Sequence, residues 1–323
     1  MNQQDFERQN EKYWQQTEAL IDSLTKRKSS NRGAVGEFPQ RYRQVCQHLS
    51  LARERQYTSH LIEHLNHLML RGHQHLYGSR AGFLSPILHF IGAAFPALIR
   101  REWRLFWLAF LLFYGPLALM GWAVYERPEM SYTLMSAAQV AQIETMYSPD
   151  APHIGRERGA DTDVYMFGVY IWNNIRISFQ TFAGGIFLGV GSIFFLLFNG
   201  LSIGTVAGHL TQVGYTSTFW PFVAGHGAFE LTAVVLSGMA GLKLGFALLS
   251  PGRRTRLEAL REAAKVSIKI VYGVIGMLVI AAFIEAFWSA STLISAPVKY
   301  SVAGVLWSLV TAYFLFVGRG HAD

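Results

Sequence analysis

Only one cysteine, Cys46, occurs in 323 residues, so the chain cannot form an internal disulfide. A free thiol suits a reducing compartment, and a small buried side chain is sufficient reason for it. Charge is also scarce: Asp, Glu, Lys and Arg make up 15% of residues against 51% hydrophobic, a balance foreign to soluble domains. No Walker loop, nucleophile elbow or dinucleotide fingerprint is present. The stretch "GGIFLGVG" (184–191) lies within apolar sequence and precedes no helix start fit for phosphate, which argues against a soluble enzyme. The formal charge of +7 comes with neither an aromatic-spaced basic motif nor a zinc-finger pattern, so nucleic acid is not an expected partner. The polar start, with no apolar stretch before Phe83, lacks a signal-peptide pattern, and the N-terminus is expected to stay inside.

What the chain does have is long apolar stretches, unevenly placed. Residues 1–102 hold many of the charges, and from Trp103 onward apolar runs are broken mainly by glycine. This predicts a polar region followed by a membrane region of 103–323, the whole an all-α polytopic membrane protein. Residues 3–27 and 39–77 read as two helices joined by a loop containing Gly33, Gly36 and Pro39, a cytoplasmic hairpin. Residues 83–103, with Pro86, Pro96 and a basic end, suit an interfacial elbow, the alternative being the start of a long first span.

About six spans are expected: Leu105–Tyr125, Ile177–Phe198, a weak third from Leu201 to about Trp220, Phe222–Leu242, Ile270–Ala290 and Tyr300–Val317. The dipeptide Asn199-Gly200 reads as the turn between the second and third. The segment Glu126–Asp163 has three arginines against seven acids and is placed outside. The loop after Lys243 carries six basic residues (253, 254, 256, 261, 265, 269) against Glu258 and Glu262 and is placed inside. Both termini are then cytoplasmic. The stretch "YTLMSAAQVAQIETMY" (132–147) has a helical apolar period and is expected on the outer surface.

The apolar spans contain a few ionisable groups. His226 and Glu230, at i and i+4, share one helix face about 6 and 12 Å below the outer edge of the fourth span. Glu285 in the fifth span lies near the same depth, and Asn173 and Asn174 stand just above the second. A charge exposed to lipid at a span centre costs at least about 2.5 kcal/mol, so these five side chains should face one another. Three uses are open: structural glue, a proton or solute site, or a metal site of one His and two Glu, although the stretch is not HExxH. In the polar region "HLIEHLNHL" sets His60, His64 and His67 on one helix face beside Glu63, a spacing that can bind a transition metal. Cytoplasmic helix surfaces also carry such residues without one. Glycines recur at four-residue spacing: Gly200, Gly204 and Gly208; Gly185 and Gly189; Gly241 and Gly245. These ridges let helices approach closely, within one bundle or at a homo-oligomer face.

The stretches "WNNIRISFQTFAGGIFLGVG", "FNGLSIG", "HGAFELTAVVLSGMAGLKLG" and "AAFIEAF", with "YRQVCQHLSLARERQYTSHLIEHLNHLMLRGHQHLYG" before them, resemble the stage II sporulation protein M family in order and spacing. His226, Gly227, Glu230, Asn199, Gly200 and Glu285 stand at positions matching its recurring polar and glycine sites, and no catalytic role comes with those matches. The resemblance implies a polytopic inner-membrane protein of bacteria, its sporulation members helping to assemble peptidoglycan-degrading enzymes. It further implies a scaffold in cell-envelope remodelling, a partner ATPase of the AAA+ type for longer members, and no cofactor. The segment Glu126–Asp163 and the N-terminal helical region exceed what a minimal member needs, so a sporulation role does not transfer. A proton-coupled transporter and an intramembrane metal-dependent hydrolase are the alternatives.

Overall fold

The computed structural model describes residues 2–25, 32–77, 84–150, 163–291 and 293–319. The chain divides into two compact units, Met1–Leu88 and His89–Asp323.

The first unit has three helices: α1 (Gln3–Thr25), α2 (Arg32–Glu54) and α3 (Ser59–Tyr77). The stretch expected as one helix over 39–77 is therefore two. The break falls at 55–58, where Gln56 takes a positive φ of 52° and Tyr57 N–H closes back on Ala52 O. Reversing there lets α3 fold onto α2, so that Leu61, Leu65 and Leu68 meet Phe38, Val45 and Leu49, with Phe6, Trp14 and Ile21 of α1 completing the core. One continuous helix would leave those apolar stripes open to water. Inside this core Trp14 Nε1 donates to His48 Nδ1 at 2.9 Å. Burial pushes the His48 pKa below its ordinary value. Arg71 ties α3 to α1 through Glu18 (3.0 Å) and Asp22.

Helix α4 (Leu84–His89) ends at the division between the units, and the second unit continues with a π-turn (Phe90–Ala94) and α5 (Phe95–Arg101). At Glu102 the backbone leaves helical geometry, which separates this elbow from the first long helix. Arg100 donates to Phe314 O (2.8 Å) and Tyr313 Oη to Ile91 O (2.7 Å), fastening the elbow to the last helix. The long helices are α6 (Trp103–Glu126), α8 (Asp163–Ala183), α9 (Val190–Gln212), α10 (Thr216–Leu249), α11 (Arg256–Phe283, running into a π-turn at Ile284–Ser289) and α12 (Ala296–Phe316), with the short α7 (Ala137–Tyr147) between α6 and α8. Capping boxes start α7 (Ser136 with Gln139) and α11 (Thr255 with Glu258).

Among the described residues five helices are long and apolar enough to cross a membrane: α6, α9, α10, α11 with its π-turn, and α12. The chain is an all-α, multi-pass membrane protein. α8 falls outside that set and is polar at Asn173, Asn174, Arg176 and Gln180, yet it packs on α10 and α11. Lipid-facing surfaces of α6 and α12 keep large apolar side chains exposed, such as Leu111, Trp122 and Leu309.

The expected second span, Ile177–Phe198, straddles a bend. The chain turns at 184–189, where Leu188 (φ 54°) and Gly189 (φ 84°) are both left-handed and Ser192 Oγ donates to Thr181 O at 2.6 Å. Asn199-Gly200, expected as the turn, lies inside α9, with Asn199 Nδ2 donating to Phe195 O at 2.7 Å. Its neighbour Gly200 is needed for packing. The expected third span, Leu201–Trp220, likewise runs across the break between α9 and α10 at Val213–Tyr215.

α10 is the centre of the unit, touching α6, α8, α9, α11 and α12. It is apolar apart from a few residues such as His226, Glu230 and Lys243, and Ala233, Leu236, Met239 and Ala240 are fully enclosed. Two glycine seams hold the bundle. Along α9, a Cβ on Gly200, Gly204 or Gly208 would collide with the backbone of Phe113, Leu117 or Gly121 of α6. Gly185 and Gly189, expected on a helix ridge, sit in the bend, where they meet Gly241 and Gly245 of α10.

Candidate functional site

Ten residues into α10, about 15 Å from its start, His226 is almost wholly buried, and Glu230 follows one turn later. His226 Nε2 lies 3.9 Å from Glu230 Oε2. α11 reaches them through its terminal π-turn. The wider π geometry carries Glu285 and Ser289 on 284–289, and Ser289 Oγ lies 3.0 Å from His226 Nδ1. His226, Glu230 and Glu285 each offer a ligand atom, all within 4.8 Å of one another, the one such trio of His, Cys, Asp or Glu side chains among the described residues.

Around the trio the contacts are specific. Buried Lys299, one turn into α12, donates to the carbonyls of Ser289 (2.7 Å) and Ser291 (2.8 Å), which satisfies oxygens left open where the π-turn ends. Trp307 Nε1 of α12 donates to Ala224 O of α10 at 3.1 Å. The Phe222 ring packs edge-on to His226 at 5.4 Å and touches Tyr147 of α7 at 5.7 Å. α7 is itself fastened: Glu144 Oε1 pairs with His209 Nε2 of α9 at 2.7 Å, and Thr218 Oγ1 of α10 donates to Tyr147 O. A chain of contacts thus links α7 to the trio.

Asn173 and Asn174 are on α8, where Asn173 Nδ2 donates to Asn174 Oδ1 at 3.3 Å. Asn174 begins a buried polar stripe on α8 with Ser178 and Thr181. The Asn174 amide nitrogen, Ser178 Oγ and, on α10, Ser237 Oγ have no hydrogen-bond partner among the described residues. His60, His64, His67 and Glu63 are exposed on α3. Ser289, Lys299 and Glu144 join the site or its surroundings without having been singled out in the sequence, and His209, one of the polar residues that make the expected third span weak, joins them. Lys299 carried a signal in its position, a lysine two residues after Pro297 in an otherwise apolar helix.

At the far end of α10, Lys243 pairs with Glu102 at 2.6 Å. Beside that pair a groove of about 540 Å³ is lined by Arg101, Trp103, Arg104, Leu105, Leu108 and Phe246.

The family model described as stage II sporulation protein M matches residues 109–290, which takes in both glycine seams, α7 and the trio. A second family model, a domain of unknown function (DUF8413), matches residues 4–78, the three-helix unit. Among curated proteins, an uncharacterized protein of Methanocaldococcus jannaschii is 29% identical over 128 residues, covering 38% of this chain and 70% of its own. No solved structure matches.

Proposed function

Because the chain belongs to the stage II sporulation protein M family, we propose that it is a membrane scaffold in cell-envelope remodelling, recruiting or organising proteins such as peptidoglycan-remodelling enzymes. It sits in the bacterial inner membrane with both termini in the cytoplasm, an orientation supported by the basic loop at 253–269 and the acidic segment at 126–163. The observation that carries the reading is α7. The segment between α6 and α8 includes a helix clamped to the bundle through Glu144–His209 and Thr218–Tyr147, presenting Ala138, Gln142 and Thr145 outward. A docking surface needs a fixed shape, and this clamp provides one. On the cytoplasmic side the three-helix unit takes the AAA+ ATPase. The groove of Arg101, Trp103 and Arg104 takes an anionic lipid headgroup, with its apolar floor under the chains.

A photo-crosslinker at Gln142 in living cells tests this. It should capture a peptidoglycan-remodelling enzyme, identified by mass spectrometry, and Glu144→Gln, which weakens the clamp, should cut the yield severalfold. Capture of lipid alone at Gln142, with no envelope protein at Ala138 or Thr145 either, overturns the reading.

A second reading, a proton-coupled transporter, is favoured by the trio together with the buried polar stripe of Asn174 and Ser178. It requires pH-dependent flux in proteoliposomes that Glu230→Gln abolishes.

A further inference from the structure

We propose that His226, Glu230 and Glu285 bind one divalent transition-metal cation, with zinc as the test ion, clasping α10 to the π-turn that ends α11. The first support is distance. Zinc holds imidazole nitrogen and carboxylate oxygen at about 2.0–2.2 Å, so ligand atoms in a tetrahedral site stand about 3.4 Å apart. His226 Nε2 and Glu230 Oε2 are 3.9 Å apart and all three donors lie within 4.8 Å, so side-chain rotations of about an ångström close the site.

The second support is the far side of the imidazole. A ligating histidine characteristically gives its other ring N–H to a fixed acceptor, which sets the tautomer and aims the lone pair at the metal. Ser289 Oγ stands 3.0 Å from His226 Nδ1 in that role, and the Ser289 carbonyl is in turn held by Lys299 Nζ. With Nδ1–H donating to the serine, Nε2 presents its lone pair toward the Glu230 carboxylate.

The third support is charge. Two ionised carboxylates and a neutral imidazole match the charge of a divalent cation. One nitrogen and two carboxylate oxygens form a borderline-hard donor set, suited to zinc or manganese and lacking the thiolate that would select softer ions. The π-turn adds an independent mark. Such turns are frequent at functional sites, and this one carries both the third donor and the serine that lies 3.0 Å from His226 Nδ1. The proposal does not rest on the scaffold reading, since metal content and partner capture are read separately.

The test uses the full chain in detergent, purified through a tag without histidine, stripped with a chelator, re-equilibrated with zinc and desalted. Elemental analysis should find one zinc per chain. Glu285→Gln and His226→Ala should lose it, and Ser289→Ala should weaken binding 10- to 100-fold. His226→Cys keeps a ligand and so guards against loss through misfolding. Loaded with Co²⁺, it should show a thiolate charge-transfer band that the wild type lacks, while both show visible ligand-field absorption. Replacing His60, His64 and His67 together should leave the zinc in place. No zinc in the wild type, or zinc that follows the α3 histidines, overturns the proposal, and the first result leaves the trio as a proton-sharing cluster.

Discussion

His48 shows how one side chain sets the conditions under which the N-terminal unit is stable. Its Nδ1 accepts from Trp14, which only the neutral ring can do, and burial lowers its pKa. The unfolded state therefore binds the proton more readily than the folded one. Stability is complete above the ordinary histidine value of 6.5 and falls as the pH drops below it toward the folded value. Hydrogen exchange of α1 and α2, corrected for intrinsic rate, should show protection falling with pH in that window, and His48→Phe should flatten the dependence. Protection unchanged by acid in the wild type would remove this account. Some of this scale was legible in the sequence and some was not. His226 and Glu230 could be paired from their i, i+4 spacing, because helix geometry alone puts them together. Ser289 and Lys299 could not, since their roles depend on where a π-turn ends and how α12 docks on it.

At the scale of elements, helical character was legible wherever apolar runs are long, and the breaks were not. The Asn-Gly pair is a strong turn signal in a solvated loop. Inside an apolar run the backbone has no water to turn toward, and Gly200 is spent on contact with α6. The true bend at 184–189 has no polar signature: Gly185 and Gly189 pack on α10, and Ile186, Phe187 and Leu188 are exposed and apolar. In the first unit, the break at 55–58 has no Gly or Pro to mark it, and only the three-helix core requires it. The seam between α6 and α9 gives a sharp contrast between glycines. A Cβ on Gly204 would stand 3.1 Å from Gly121 N and closer still to Leu117 O, whereas one on Gly115 meets nothing within 4 Å. Gly204→Val should destabilise the bundle by roughly 1–3 kcal/mol or more, read as a lowered melting temperature in detergent. Gly115→Ala should leave it unchanged. Equal melting temperatures for the two variants would mean the seam is not tight.

For the whole molecule the order of helices fixes a path that can be checked. α6 and α9 run parallel, since Gly200 meets Phe113 while Gly208 meets Gly121, and α8 must return the chain between them. The proposed orientation then puts Asp150 outside and Arg254 inside. In a Cys46→Ser background, Asp150→Cys should react with an impermeant maleimide in intact cells, and Arg254→Cys only after permeabilisation. The opposite pattern would invert the topology. Both residues are exposed, so reactivity reports sidedness and not burial. Charge counts supply this orientation, while composition places the change from polar to apolar sequence near 102 and the compact units divide after Leu88.

The seam of α6 on α9 has one more consequence. Helices that touch main chain to main chain have no side-chain teeth to slip past one another, and a one-turn ratchet would drive bulky residues such as Phe113 into the space that glycine vacates. The pair is therefore a stator. Whatever movement the protein performs belongs to elements outside that seam, such as α12, which packs on α10 and the elbow.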